Sequence, residues 1–126
     1  MRPIVYDAGV LIAAERGERG IWAEHRVRLE AGLVPLVPAP VLAQASRSPR
    51  QAQMRRLLRG CEIVAFGEAD AHRAGALLAK SRTTDVVDAA VVILAVDRGA
   101  DIQTADTADI RRLTAAERAK LVILSV

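Results

Sequence analysis

Short runs of strand type recur five times along the chain, separated by stretches long enough to form helices. The runs are Pro3 to Tyr6, Leu33 to Val37, Cys61 to Phe66, Asp101 to Thr104 and Leu121 to Val126. Helical patterning fills the gaps. It covers Ala8 to Arg16 and Gly20 to Ala31, then Ala39 to Ser46 and Pro49 to Arg59, then Glu68 to Lys80 and Asp85 to Arg98, and last Asp106 to Leu113 with Thr114 to Lys120. A helical crossover joins parallel strands, whereas an antiparallel pair needs only a tight turn. The order therefore predicts an α/β three-layer sandwich, a five-stranded, mostly parallel sheet flanked by helices. Pro35, Pro38 and Pro40 confine or end the second run. Asp85 to Arg98 is apolar on nearly all sides. Its β-branched residues would suit a buried strand, but its length and the Gly99 stop favour a buried helix.

At 126 residues the chain has the length of a single domain, 1–126. Apolar residues make up 52% and charged residues 26%, the proportions of a globular protein. The longest uninterrupted apolar run, Ala89 to Val96, falls far short of the roughly 20 residues a membrane span needs. The opening Met1-Arg2-Pro3-Ile4-Val5-Tyr6-Asp7 lacks the apolar core of a secretory leader. Cys61 is the single cysteine, which excludes an internal disulfide and a thiolate metal cage. The expected address is a reducing cytoplasm, with no membrane partner.

Charge is unevenly spread. Between Ala31 and Cys61 there is no acid, but there are Arg47, Arg50, Arg55, Arg56 and Arg59. Between Asp85 and Asp109 six aspartates face one Arg98. Arginine forks match phosphate oxygens, so the basic stretch suits a nucleic acid or an acidic partner. A solvated helix face is the alternative.

The aspartates fall at informative places. Asp7 sits where the first strand gives way to a helix, and Asp106 occupies the same kind of junction after the fourth strand. Asp85 and Asp88 share a face of the first turn of the long buried helix. All four can line one edge of the sheet. Clustered carboxylates repel one another unless a cation neutralises them, and a hard ion such as Mg²⁺ or Mn²⁺ does so with oxygen ligands. Such an ion can activate water and stabilise charge on a phosphate. The competing explanation is helix capping, since aspartate is favoured at N-caps and in first turns. Other chemistries are poorly served. His25 and His72 have no partner at ligand spacing, and neither a G-x-G-x-x-G nor a P-loop is present. Tyr6, Trp22 and Phe66 are too few to stack bases, so RNA contact would rest on phosphates and shape.

With these residues in place, the chain resembles the PIN-domain family, above all the VapC-type toxins of bacterial toxin–antitoxin pairs. Ile4-Val5-Tyr6-Asp7-Ala8-Gly9-Val10-Leu11-Ile12-Ala13 is similar to the family opening. Asp85-Val86-Val87-Asp88-Ala89-Ala90-Val91-Val92 is similar to its later helix, and Thr104-Ala105-Asp106-Thr107-Ala108-Asp109-Ile110 to the motif after the fourth strand. The resemblance implies a metal-dependent endoribonuclease, the toxin of such a pair, acting by metal-activated water and inhibited by a cognate antitoxin. Asp7, Asp88 and Asp106 would hold Mg²⁺ or Mn²⁺, with Asp85 as a candidate fourth acid. Thr104, Gln44 and Asp109 would be supporting groups, Asp109 the more distant. Arg47, Arg50, Arg55, Arg56 and Arg59 would meet the RNA or the antitoxin, and a homodimer is expected. One position departs from the family pattern: Gln44 stands where a glutamate is usual, and an amide supplies no charge.

Two rival readings remain open. One is a PIN-like module that binds RNA or a protein without cleaving, through loss of that glutamate. The other is a signalling receiver domain, which wants paired acids after the first strand and a lysine after the last. Here Asp7 stands alone and no lysine follows Leu121.

Overall fold

The computed structural model describes all 126 residues. Its sheet has five strands: β1 (Ile4–Tyr6), β2 (Leu36–Pro38), β3 (Glu62–Val64), β4 (Asp101–Thr104) and β5 (Ile123–Ser125). Every pairing is parallel and the spatial order is β3-β2-β1-β4-β5. Seven helices connect them: α1 (Ala8–Glu15), α2 (Arg19–Glu30), α3 (Ala39–Ala45), α4 (Ala52–Leu58), α5 (Glu68–Ser81), α6 (Val86–Arg98) and α7 (Thr107–Ala116). The three-layer α/β sandwich is the one expected, and the sheet is wholly rather than mostly parallel.

Right-handed crossovers decide which helices cover which face. From β1 the chain steps outward through β2 to β3, which places α1 to α4 on one face. It then crosses back to β4 and on to β5, which places α5 to α7 on the other. The packing follows: α1 contacts α2, α3 and α4, while α5, α6 and α7 contact one another. The reversal falls between β1 and β4, the neighbours at which such sheets open a ligand crevice beyond their carboxyl ends.

Burial explains the strand composition. β1 and β2 are buried throughout and read as unbroken apolar runs, while the edge strands β3 and β5 are largely exposed. Helix α6 is buried from Asp88 to Ala95 because it lies against β1, β2 and β4 on one side and α5 and α7 on the other. A helix apolar all round has this position as its natural one.

A polar network fastens β1 to β4 just before their ends. The Tyr6 hydroxyl meets His25 Nδ1 at 2.9 Å and accepts from Arg28 at 3.1 Å. Arg28 also donates to Gln103 Oε1 at 2.9 Å, and Gln103 donates to Glu24 at 2.8 Å. Tyr6 and Gln103 are register partners, so this network helps fix the alignment of the two strands whose next residues are Asp7 and Thr104. His25 is thus a buried structural histidine, its imidazolium disfavoured by burial and by Arg28.

Candidate metal centre

Asp7 leaves the end of β1 as the N-cap of α1. One carboxylate oxygen accepts from the Ala8 amide at 2.7 Å and the other from the Thr104 hydroxyl at 2.7 Å. The Thr104 hydroxyl in turn accepts from the Asp106 amide at 2.9 Å. One threonine at the end of β4 therefore ties the two switch-strand ends together. Burial raises the pKa of Asp7, opposed by the bonds from Thr104 and Ala8, and the Asp106 and Asp85 charges raise it further.

Asp88 arrives from the other direction, in the first turn of α6. It is buried, and its Oδ2 has no hydrogen-bond partner. Burial, followed by the charges of Asp7, Asp85, Asp106 and Asp109, pushes its pKa up to about 7. Carboxylate oxygens of Asp88, Asp106 and Asp109 lie within 4.8 Å of one another, close enough to hold one ion.

The capping explanation separates cleanly by residue. It holds in part for Asp7, which caps α1 with one oxygen and takes the Thr104 hydroxyl with the other, and it holds for Asp85, which caps α6 by accepting from the Asp88 amide at 3.0 Å. It fails for Asp106, which occupies the N-cap of α7 but makes no side-chain cap bond. Asp109 stands in the cluster itself, nearer the centre than the distant supporting position expected of it. Its signal was in the sequence: three residues after Asp106, it shares that residue's face of α7. Gln44 is exposed near the end of α3.

The five arginines of the basic stretch are all exposed. Arg47 donates to the carbonyls of Ala43 and Ser46 at 2.9 Å, closing the end of α3. Arg56 lies over the Trp22 ring, 4.3 Å from its centre. None of the five lines the cleft that holds Asp85, Asp88 and Asp109; the arginines there are Arg82 and Arg112, which sequence reasoning missed. Both lie outside the basic stretch, and only the fold brings the α5–α6 corner beside α7.

The donor set fits a hard divalent ion. Every available ligand is a carboxylate oxygen, and one of them is buried with nothing to accept from. A buried carboxylate without a partner is costly, and a cation removes both that cost and the repulsion among its neighbours.

No protein-family model matches this sequence, and no curated protein does. Solved structures do match in fold. VapBC2 from Rickettsia felis, solved bound to a DNA fragment from its promoter, matches with a TM-score of 0.72 at 15% identity, covering 98% of this chain and 98% of that one. PAE2754 from Pyrobaculum aerophilum matches at 0.66 and 15% identity, over 99% of this chain and 84% of that one. FitAB bound to an IR36 DNA fragment matches at 0.62 and 14% identity, over 97% and 94%. At such identities the likeness is one of fold, and the fold is the PIN-like α/β sandwich that the sequence motifs resemble.

Proposed function

We propose that the chain is a Mg²⁺- or Mn²⁺-dependent endoribonuclease, the toxin of a toxin–antitoxin pair. The observation that carries this reading is the unpartnered Asp88 Oδ2, buried beside the Asp106 and Asp109 carboxylates at the switch point of the sheet. Asp88, Asp106 and Asp109 would hold the ion directly. When bound there, the ion supplies an activated water and stabilises negative charge on the phosphate. Asp7, its carboxylate held by Thr104 and the Ala8 amide, is a further acid close enough for its charge to raise the pKa of Asp88. Asp85 adds charge from the rim while it caps α6. The aromatics support a substrate held by its backbone: Tyr6 is fully buried and Trp22 is covered by Arg56.

Two of the similar structures are assemblies named for two components, VapBC2 and FitAB, which supports a cognate antitoxin as partner. The exposed Arg47, Arg50, Arg55, Arg56 and Arg59 suit its acidic residues or RNA phosphates. A homodimer in the cytoplasm completes the reading, and no helix is long and apolar enough to cross a membrane.

The test is cleavage of single-stranded RNA by purified protein with Mg²⁺, with Mn²⁺ and with EDTA. Asp7→Asn, Asp88→Asn, Asp106→Asn and Asp109→Asn should each remove most activity and leave a folded protein, since the amide is nearly isosteric. Metal-independent cleavage, or wild-type rates in all four variants at limiting Mg²⁺, overturns the assignment. A folded wild-type protein that binds RNA or a protein partner without cutting identifies the non-catalytic module instead.

A further inference from the structure

A cleft of about 410 Å³ opens beside the acid cluster. Its lining includes Arg82, Thr83, Thr84 and Arg112 together with Asp88 and Asp109. Neither arginine is paired with them: the six ion pairs of the chain use Arg2, Arg26, Arg28, His72, Arg73 and Arg98 as their basic members. Both residues are exposed, and their guanidinium groups are free to meet a ligand.

Their placement is specific. Arg82 forms the corner after α5 at φ 56° and ψ 43°, a left-handed conformation in which glycine is the usual occupant. Arg112 follows Asp109 by one turn of α7, so the helix face that presents the acid also presents the guanidinium. The two basic groups come from different elements and share one cleft.

We propose that Arg82 and Arg112 clamp a phosphodiester of single-stranded RNA next to the acid cluster, holding the phosphate adjacent to the one cleaved. This rests on the nuclease reading for the reaction, but not for the binding. The cleft offers unpaired groups of both signs. A phosphate backbone suits this arrangement, because its oxygens take the arginine forks and the divalent ion proposed for the aspartates offsets the repulsion between them and the phosphate. An acidic protein segment satisfies only the arginines and brings its carboxylates against Asp85, Asp88 and Asp109.

The test uses a fluorescein-labelled single-stranded oligoribonucleotide and the Asp106→Asn protein, so that binding is read without cleavage. Arg82→Gly is the informative variant, since it removes the guanidinium and eases the left-handed corner. It should melt no lower than its parent, yet bind RNA at least tenfold more weakly. Arg112→Ala should behave alike in binding. Each substitution should reduce the slope of log K against log salt by about 0.7. Arg112→Lys should keep most of the slope but lose affinity, because a point charge does not reproduce a two-pronged fork. In the cleaving protein, both arginine variants should raise KM more than they lower kcat.

An unchanged slope in Arg82→Gly and Arg112→Ala overturns the proposal. So does a loss confined to binding of a poly-glutamate peptide, which assigns the pair to a protein contact. The two readings fail separately. Arginine-dependent RNA binding by a wild-type protein that never cleaves leaves the clamp standing and removes the nuclease. Metal-dependent cleavage with unchanged slopes does the reverse.

Discussion

Asp88 stores an unfavourable charge in the metal-free protein. Its folded pKa, about 7, lies above its ordinary 3.8, so the folded state binds the extra proton between those values. The contribution of Asp88 to stability is therefore fully present below 3.8 and is lost as pH rises through about 7. Asp88→Asn removes this dependence, and its amide can donate to the neighbouring carboxylates. In EDTA at neutral pH the variant should be more stable than wild type by about 2 kcal/mol. The difference should shrink as pH falls toward 3.8, and added Mg²⁺ should reverse the ranking. Urea melts across pH, with and without metal, measure this. Equal stabilities at neutral pH in EDTA would show that the carboxylate is already relieved by some group other than an ion.

Helix α3 carries the departure from the family pattern. Gln44→Glu adds a charge on the helix that follows β2 and packs against α1 and α6, and it should lower metal-free stability by repulsion and enlarge the stabilisation given by Mg²⁺. Thermal melts of both proteins across a Mg²⁺ titration report the difference. Identical metal-induced shifts would place residue 44 outside the ion's surroundings.

At this same scale the sequence was legible wherever one physical rule acted alone. The strand-to-helix alternation, the buried α6 and the Gly99 stop follow from periodicity and backbone preference, and the structure repeats them. Departures occur where two rules compete. Leu33 is apolar, and the sequence pattern predicts that it starts β2. Its amide instead bonds to the Arg28 carbonyl, closing α2 behind Gly32 at φ 79°, and the strand begins at Leu36. The helix expected from Pro49 starts at Ala52, because the Gln51 side chain accepts from the Arg47 and Ser48 amides and holds a turn ahead of it. The pattern predicts two separate helical turns, Asp106 to Leu113 and Thr114 to Lys120. They merge into α7 as far as Ala116, and the chain leaves through Arg118 at φ 52°. The junction aspartates were visible as chemistry, but which of them caps and which stays free depends on hydrogen bonds that only coordinates give. Arg82 and Arg112 were invisible for a topological reason: their neighbourhood is created by packing α5 and α6 against α7.

For the whole molecule, the decisive feature is that the Thr104 hydroxyl bonds Asp7 across 97 positions of chain. Contacts of such separation form late, because the loop they close costs entropy before they return anything. Refolding from urea should therefore restore helical circular dichroism before, or together with, tight Mn²⁺ capture, and never after it. Electron paramagnetic resonance of free Mn²⁺ follows the capture, and tight binding by an early, partly folded species would show that fewer residues suffice. The same separation bears on synthesis. While the ribosome is still making the chain, Asp7 emerges first and waits for partners that do not yet exist. No product of interrupted translation ending before Asp109 has the assembled cluster. Until Asp109 has emerged, the earlier acids lack the partners that make up the cluster, so the site comes together only after β4 and the start of α7 have been made.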